Sequence, residues 1–333
     1  MTRKAHPTVS VIMPVYNVQC FVAEAVMSVL AQSFTDFELI IIDDGGNDRS
    51  IEICRTFDDP RIRIRSQANR GLAGARNAGI RLARGRYIAL IDSDDAWEHD
   101  KLAHHVAHLD LDSTVGVSYA AAALIDSRGN ALGITQRPKL GAITARDVFC
   151  GRAIMNGSTP VFRREMLADA ALPGQEPDHL WYFDESLRRS EDVECWTRLA
   201  LTSPLRFEAL PLVLTRYRIN AGGLSSDVIR QLDSWDAVCA KIATISPDFV
   251  AAHAKEARGL ELRYLARRAV QMCDRGLGLT FACAAIAHWP RLLWQEPAKT
   301  FTTLAACAAL RVLPAQEFRR LVGFASPALA AGL

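Results

Sequence analysis

The chain has 333 residues, half of them hydrophobic and 23% charged, with a formal net charge of +2. That composition is ordinary for a globular protein with a real core, gives no global pull toward nucleic acid, and fits one large domain with an appendage, or two domains. Eight cysteines with no CxxC pair argue against a zinc ribbon or a disulfide framework and fit a reducing compartment.

The N-terminus from Met1 to Thr8 is polar and basic and has no signal-peptide apolar core. No apolar run reaches the roughly 18 residues that span a bilayer. Val9 to Met13 reads as a buried strand closed by Pro14, followed by a helix from about Val18 to Gln32. Phe37 to Ile42 is the next strand, ending in Asp43-Asp44-Gly45-Gly46. A short helix from Asp48 to Phe57 has Asp48 or Asn47 as its cap. Arg61 to Arg65 alternates at period two, as in a less buried strand. Asn69-Arg70-Gly71 leads into a helix from Leu72 to Arg84, stopped by Gly85. The fourth strand, from Tyr87, ends in Asp92-Ser93-Asp94-Asp95, three carboxylates within four residues. Strands alternating with helices on short links predict βαβ units and a parallel sheet.

In open α/β sheets, ligands bind beyond the carboxyl ends of the strands. Four strands here deliver polar groups to that rim: Pro14-Val15-Tyr16-Asn17, Asp43-Asp44, Asn69-Arg70-Gly71 and Asp92 to Asp95. A ring to stack on a base, a carboxylate to accept from a base N–H or a ribose hydroxyl, and hard oxygens for Mg²⁺ or Mn²⁺ on a diphosphate make a nucleotide site. Taken singly each has a plain structural reading, as a turn, a core aromatic or a solvated acidic loop. No P-loop pattern is present, and Gly71-Leu72-Ala73-Gly74 is not a dinucleotide fingerprint.

The stretches VSVIMPVYN, SVLAQSFTDFELIIIDDGGNDRS and NRGLAGARNAGIRLARGRYIALIDSDDAW together resemble the family 2 glycosyltransferases. The resemblance continues more sparsely through PVFRREML, FDESLRRSEDVECWTRLA and PLVLTRYRIN to about residue 220. It implies the GT-A fold, a Rossmann-like, mostly parallel sheet with helices on both faces. It further implies an inverting, metal-dependent transfer of a hexosyl or N-acetylhexosaminyl group from a nucleotide sugar. Under it Pro14 and Tyr16 line the base pocket, and Asp44 with Asp43 bonds the base. Arg70, Arg76 and Asn77 approach the donor, with Ser93 also in the donor site; Asp92 or Asp94 meets ribose or sugar, and Asp94 or Asp95, with Asp92, holds the divalent cation. A UDP sugar is the expected donor, since Asp44 suits a pyrimidine N3–H; a dTDP sugar shares that group, and a GDP sugar stays open. The acceptor is a saccharide or a lipid-linked saccharide of a cell-surface polysaccharide or glycolipid.

Ser190-Glu191-Asp192 resembles the family's ED motif at the start of a helix facing the acceptor. Asp192 is the expected general base and Glu191 the weaker candidate; the plain alternative is a pair of acids favouring a helix N-terminus. Three departures from the family pattern stand out. DDGS reads Asp43-Asp44-Gly45-Gly46, and YRxH reads Tyr217-Arg218-Ile219-Asn220, which implies either weaker metal binding or more of the phosphate contact on Arg218. Trp181-Tyr182 stand before Phe183-Asp184-Glu185, after an insert from Pro173 to His179; the two rings either stack on a sugar or cover the core. Asn156-Gly157-Ser158 reads as a turn first and an acceptor contact second. His104, His105 and His108 read as a solvated helix.

The expected organisation is a glycosyltransferase domain over residues 1–222 (nucleotide-sugar half 1–98, acceptor half 99–222) and a helical region over 223–333. Arg267-Arg268 and Arg319-Arg320 beside apolar helices leave two readings of that region: a packed appendage, or a peripheral membrane contact. The expected location is the cytoplasm, or the inner face of the cell membrane. A non-catalytic nucleotide-sugar-binding paralogue and a sugar nucleotidyltransferase are the alternatives. The first would lose the base or the acidic turn, and the second would show a Gly-rich basic loop after the first strand.

Overall fold

The computed structural model describes residues 6–151, 153–154, 156–173, 180–219, 228–314 and 317–318. Asn220, residues 174–179 of the insert and Arg319-Arg320 lie outside them.

The four expected strands form as β1 (Val9–Val15), β2 (Phe37–Asp43), β3 (Ile62–Ser66) and β4 (Tyr87–Leu90). They run parallel in the order β3-β2-β1-β4, in a register that sets Val15 beside Asp43 and Asp43 beside Ser66. Their carboxyl ends therefore reach one edge together. The run of Val, Ile and Leu in β1 and β2 leaves both strands buried on both faces, as a covered parallel sheet requires. The crossovers are α1 (Val22–Leu30), α2 (Ser50–Arg55) and α3 (Gly71–Leu82). Asp48 serves α2 from two residues before its start, accepting the Ser50 N–H at 2.9 Å.

The rest of this unit is mixed. After β5 (Ala96–Trp97) and α4 (Lys101–Leu111) come β6 (Val115–Ile125), β7 (Ala131–Gln136), α5 (Ala145–Phe149), β8 (Val161–Arg163) and α6 (Arg164–Asp169). A small ribbon of β9 (Leu172–Pro173) and β10 (Leu180–Trp181) precedes α7 (Glu191–Thr202) and β11 (Arg206–Arg218). The nine-stranded sheet runs β3-β2-β1-β4-β8-β6-β11-β5, with β7 on β6, and β8 meets both β4 and β6 antiparallel. Alternating side chains feed two cores: Ile12, Ile40 and Ile88 join Ala73, Ile80 and Trp196 of α3 and α7, while Val11, Leu39 and Ala89 join Val26 and Leu102 of α1 and α4. Helices thus cover both faces.

Two compact units divide the chain. The first holds residues 1–123, 135–148 and 152–218, and the second holds 124–134, 149–151 and 219–333. In the second, α8 (Val228–Ile245), α9 (Pro247–Gln271), α10 (Leu277–His288), α11 (Leu292–Gln295) and α12 (Pro297–Val312) follow one another. The long α9 packs against α8, α10 and α12. Phe149 seals one end, its ring 5.1 Å from Trp235 and 5.5 Å from Phe249. No helix among the described residues is long and apolar enough to cross a membrane.

Candidate active site

The carboxyl ends of β1 and β2 open into two loops that brace each other. Asn17, held at a left-handed φ of 52°, accepts the Asn47 N–H at 2.8 Å, and Asp48 accepts the Gln19 N–H at 2.8 Å. This fixes Tyr16 with half its surface exposed, a ring offered at the rim. Pro14 is buried inside β1 in register with Ile42, so Tyr16 is the accessible ring of that pair.

Asp44 is 3% exposed and organises the next loop. Its Oδ1 accepts Gln67 Nε2 at 2.7 Å and the Arg70 N–H at 2.9 Å, and its Oδ2 accepts the Gly71 N–H at 2.9 Å. Gly71 sits at φ 76°, a conformation that suits glycine. Asp43 caps its own turn by accepting the Gly45 N–H at 3.1 Å.

The acidic turn after β4 is held from three sides. The Ser158 hydroxyl accepts the Asp92 N–H at 2.9 Å and donates to Asp95 Oδ2 at 2.6 Å. Arg218 donates its backbone N–H to Asp95 Oδ1 at 2.9 Å and its Nε to the Asp94 carbonyl at 2.7 Å. The Arg218 guanidinium also pairs with Glu24. Asp95 is 1% exposed, with both oxygens engaged. Burial raises its carboxyl well above the usual range, and the charges of Asp94 and Asp92 add to the rise. Ser93 is buried in the turn, while Asp92 and Asp94 are half-buried and reach the surface.

Three residues expected to approach the donor are held within the protein. Asn77 is fully buried and all four of its hydrogen-bonding positions are used: Nδ2 donates to the Phe183 carbonyl and Glu185 Oε1, and Oδ1 accepts the Tyr182 and Phe183 N–H groups. It clamps the segment before α7. Arg218 clasps the acidic turn, with its side chain 1% exposed. Arg76 is 1% exposed and bridges Glu191 Oε1 at 2.8 Å and Asp92 Oδ1 at 2.7 Å. Its Nε has no hydrogen-bond partner among the described residues. A Cβ on Gly157 would come within 2.3 Å of Arg76 Nη2, so glycine there leaves room for the bridge. Arg70 remains one-third exposed and pairs with Glu185 at 2.9 Å.

Helix α7 begins at Ser190, in the left-handed region at φ 56°, and carries Glu191, Asp192 and Glu194 in its first turn. It docks through Trp196, whose ring stacks on Phe162 at 4.8 Å and meets Phe183 edge-on at 5.4 Å. The buried Glu194–Arg198 pair at 2.8 Å, with Arg198 also donating to the Tyr182 carbonyl at 2.8 Å, ties the helix to its approach segment. Burial raises the Glu191 carboxyl to about 7 against the opposing charge of Arg76, with Asp192 adding to the rise. Burial also raises Asp192, again opposed by Arg76. Glu191 is enclosed, whereas Asp192 is half-buried and accepts the Val193 N–H at 2.8 Å.

Among the described residues no three His, Cys, Asp or Glu side chains form a ready metal cage. The acidic turn instead offers the surface-reaching carboxylates of Asp92 and Asp94, a hard oxygen pair of the kind that holds Mg²⁺ together with substrate phosphates. The residues present fit a divalent cation on those terms.

The remaining expectations resolve by packing. Tyr182 lies against the core and its carbonyl accepts from Arg198, so it covers the interior; Trp181 is half-buried in β10. The three histidines divide: His104 is exposed, as a solvated face requires, whereas His105 and His108 turn inward. His105 is fully buried, its Nδ1 2.7 Å from Ser118 Oγ, which also lies 2.7 Å from His108 Nδ1. Lys101, also fully buried, donates to the Thr159 carbonyl at 2.8 Å, and burial lowers its amine to about 7. Glu185 and Gln67 brace the candidate site and were not assigned from the sequence; Ser158, read as a turn first and an acceptor contact second, braces the acidic turn. Arg76, Asn77 and His105 carry a signal that could have placed them inside, since each sits at helical spacing from buried apolar neighbours such as Ala73 and Ile80, or Leu102 and Leu109.

Residues 10–170 match the family model described as Glycosyl transferase family 2. The chain is 38% identical over 136 residues to a protein of Haemophilus influenzae described as an uncharacterized glycosyltransferase, a match covering 40% of this chain and 54% of that one. The chain thus spans about half the length of that relative. It is 29% identical over 225 residues to the UDP-Glc:alpha-D-GlcNAc-diphosphoundecaprenol beta-1,3-glucosyltransferase WfaP of Escherichia coli, covering 67% of this chain and 82% of WfaP. Its fold is similar to that of the mannosyltransferase PcManGT from Pyrobaculum calidifontis, solved with GDP-Man and Mn²⁺. The TM-score is 0.56, at 20% identity, over 93% of this chain and 88% of that one.

Proposed function

The chain belongs to the family 2 glycosyltransferases and has their GT-A fold, and on that premise we propose that it moves a sugar, with inversion, from a UDP sugar to a hydroxyl of a saccharide or lipid-linked acceptor. The observation that carries this reading is Arg76. One guanidinium holds Asp92, of the acidic turn, and Glu191, of the α7 turn, at 2.7 Å and 2.8 Å. A donor seated at the first therefore lies beside the carboxylates of the second.

Tyr16 stacks on the base and Asp44, with Asp43 beside it, accepts from the base N–H. Among the described residues Asp44 Oδ2 accepts a single bond, from Gly71, which leaves acceptor capacity. Asp92 and Asp94 would hold Mn²⁺ or Mg²⁺, with Asp95 acting from inside to fix the turn. When bound, the ion neutralises charge on the diphosphate that leaves. Asp192 takes the proton from the acceptor hydroxyl as its oxygen bonds to the anomeric carbon and the bond to the diphosphate oxygen breaks. Its position at the edge of α7 supports that role, whereas Glu191 is enclosed and engaged with Arg76. A sugar hydroxyl is a weak nucleophile, and a positioned carboxylate contributes about 10²–10⁴-fold.

The lipid-linked acceptor is supported by the likeness to WfaP, which is named for a diphosphoundecaprenol-linked sugar substrate. The test is release of nucleoside diphosphate from a panel of UDP, dTDP and GDP sugars with Mn²⁺ or Mg²⁺, followed by the anomeric configuration of the product. Release from a UDP sugar with an inverted product supports the reading; no release from any donor overturns it.

A further inference from the structure

The segment that leads into α7 is fastened across the first turns of α3. Asn77 accepts the Tyr182 and Phe183 N–H groups, each at 2.9 Å, and donates to the Phe183 carbonyl at 2.8 Å. Glu185 Oε1 accepts Asn77 Nδ2 at 3.0 Å, and Glu185 Oε2 accepts Arg70 Nε at 2.9 Å. Arg188 ends this run of contacts. A Cβ on Gly71 would lie 2.5 Å from Arg188 Nη1 and 3.6 Å from its Cδ and Cζ, so the guanidinium rests against the bare backbone of the first residue of α3. The N–H of that same residue reaches Asp44 Oδ2 at 2.9 Å. Arg188 therefore stands beside the loop proposed for the base, and four residues before Asp192.

The protein itself does not satisfy this guanidinium. Arg188 is exposed and makes no hydrogen bond or ion pair among the described residues. Asp44 already accepts from Gln67, Arg70 and Gly71, and Glu185 from Arg70 and Asn77. Helix α3 has 12 residues and no acid in its first turn, and its N-cap residue Arg70 makes no side-chain cap. A guanidinium at the positive end of a helix is unfavourable by itself, whereas an anion seated there is favoured by both. Other arginines of the rim are committed: Arg76 to Asp92 and Glu191, Arg218 to Glu24 and the Asp94 carbonyl, Arg70 to Glu185.

We propose that Arg188 binds the donor through its diphosphate, its fork taking oxygens of the phosphate next to the ribose. A planar guanidinium matches two phosphate oxygens, which a point charge does not. The ribose-side phosphate is the one it meets, because Arg188 lies at the Asp44 side of the rim, after β2 and β3, while the acidic turn lies two strands from Asp44, after β4. The inference rests on the proposed donor site and adds a residue to it. A phosphate held by Arg188 joins the start of α3 to the segment that carries Asp192, so a bound donor steadies the approach to the base.

The test is binding, without acceptor, to the full chain and to its Arg188→Gln and Arg188→Lys variants. Calorimetry reads UDP, dTDP and GDP with Mg²⁺, and ligand-observed NMR reads the matching nucleosides, whose binding is weak. The diphosphate that the wild type binds most tightly sets the comparison. Arg188→Gln should weaken it about tenfold or more, with nucleoside affinity and melting temperature unchanged. Arg188→Lys should recover part of the loss. Equal diphosphate affinity of the wild type and Arg188→Gln would overturn the proposal and leave the donor reading standing. An equal loss for the nucleoside would place the contact on base or ribose and overturn it too. If the wild type binds none of the diphosphates, the proposal and the donor reading fall together.

Discussion

Arg76 and Glu191 form a buried ion pair at 2.8 Å, with side chains 2% and 6% exposed. The second arm of the same guanidinium holds Asp92. Removing the cation leaves two carboxylates without their shared partner, and breaking such a buried pair costs about 3–5 kcal/mol. Arg76→Leu should therefore lower the melting temperature well below wild type. Arg76→Lys, with a point charge in place of a fork, should recover stability only in part. Thermal unfolding of the three proteins checks this, and equal stability would show that the bridge contributes little.

The same pair fixes the acid side of the activity profile. Burial raises Asp192 and Arg76 opposes that rise. A base is active when deprotonated, so activity should grow with pH through an acid limb lying above the ordinary carboxylate range. Arg76→Lys should move that limb by less than Arg76→Leu, and both should move it upward. Rates of diphosphate release measured across pH, on folded protein, report the limb directly.

Asp192→Asn keeps the shape of the side chain and removes the base. Turnover should fall by about 10²–10⁴-fold with donor affinity kept. Glu191→Gln should lose less turnover and more stability, since it faces Arg76 from inside. If Glu191→Gln abolished transfer and Asp192→Asn spared it, the two roles would be exchanged.

Ser158 ties Asp92 to Asp95 through one hydroxyl. Ser158→Ala should loosen the turn without removing a carboxylate. The expected effect is about tenfold more Mn²⁺ needed for half-maximal activity, in line with the 10–100-fold that supporting partners of metal ligands contribute. A titration of activity against Mn²⁺ measures it, and an unchanged midpoint would contradict it.

Lys101 gives a stability prediction remote from catalysis. Its amine is lowered from 10.5 to about 7 by burial. Between those values the unfolded chain binds the proton that the folded chain lacks. Stability contributed by this residue should therefore rise with pH from about 7 to 10.5, by at most about 1.4 kcal/mol per pH unit. Lys101→Met should flatten that rise. Denaturant unfolding at several pH values reads the slope, and an unchanged slope would place the titration elsewhere.

The nucleotide half was legible because its strands are unbroken apolar runs and its loops begin where those runs stop, as at Ile42-Asp43 and Ile91-Asp92. The role of each rim residue was less so. A helix of small and apolar residues does not announce that Arg76 and Asn77 turn inward, although both stand at core spacing between Ala73 and Ile80. Ser158 read as part of a turn, since its use depends on β8 lying antiparallel beside β4, a pairing no local pattern encodes. Nor does any local pattern foretell that Arg218 donates to the Asp94 carbonyl, 124 residues away in the chain.

The central claim is that the diphosphate of the donor lies at the surface-reaching carboxylates of Asp92 and Asp94, below Tyr16 and Asp44. Crystals grown with UDP and Mn²⁺ and measured at the manganese absorption edge test it most directly. The account predicts an anomalous peak bonded to Asp94, with the diphosphate beside it and the uracil ring on Tyr16. A manganese peak or a diphosphate away from the turn after β4 would contradict it.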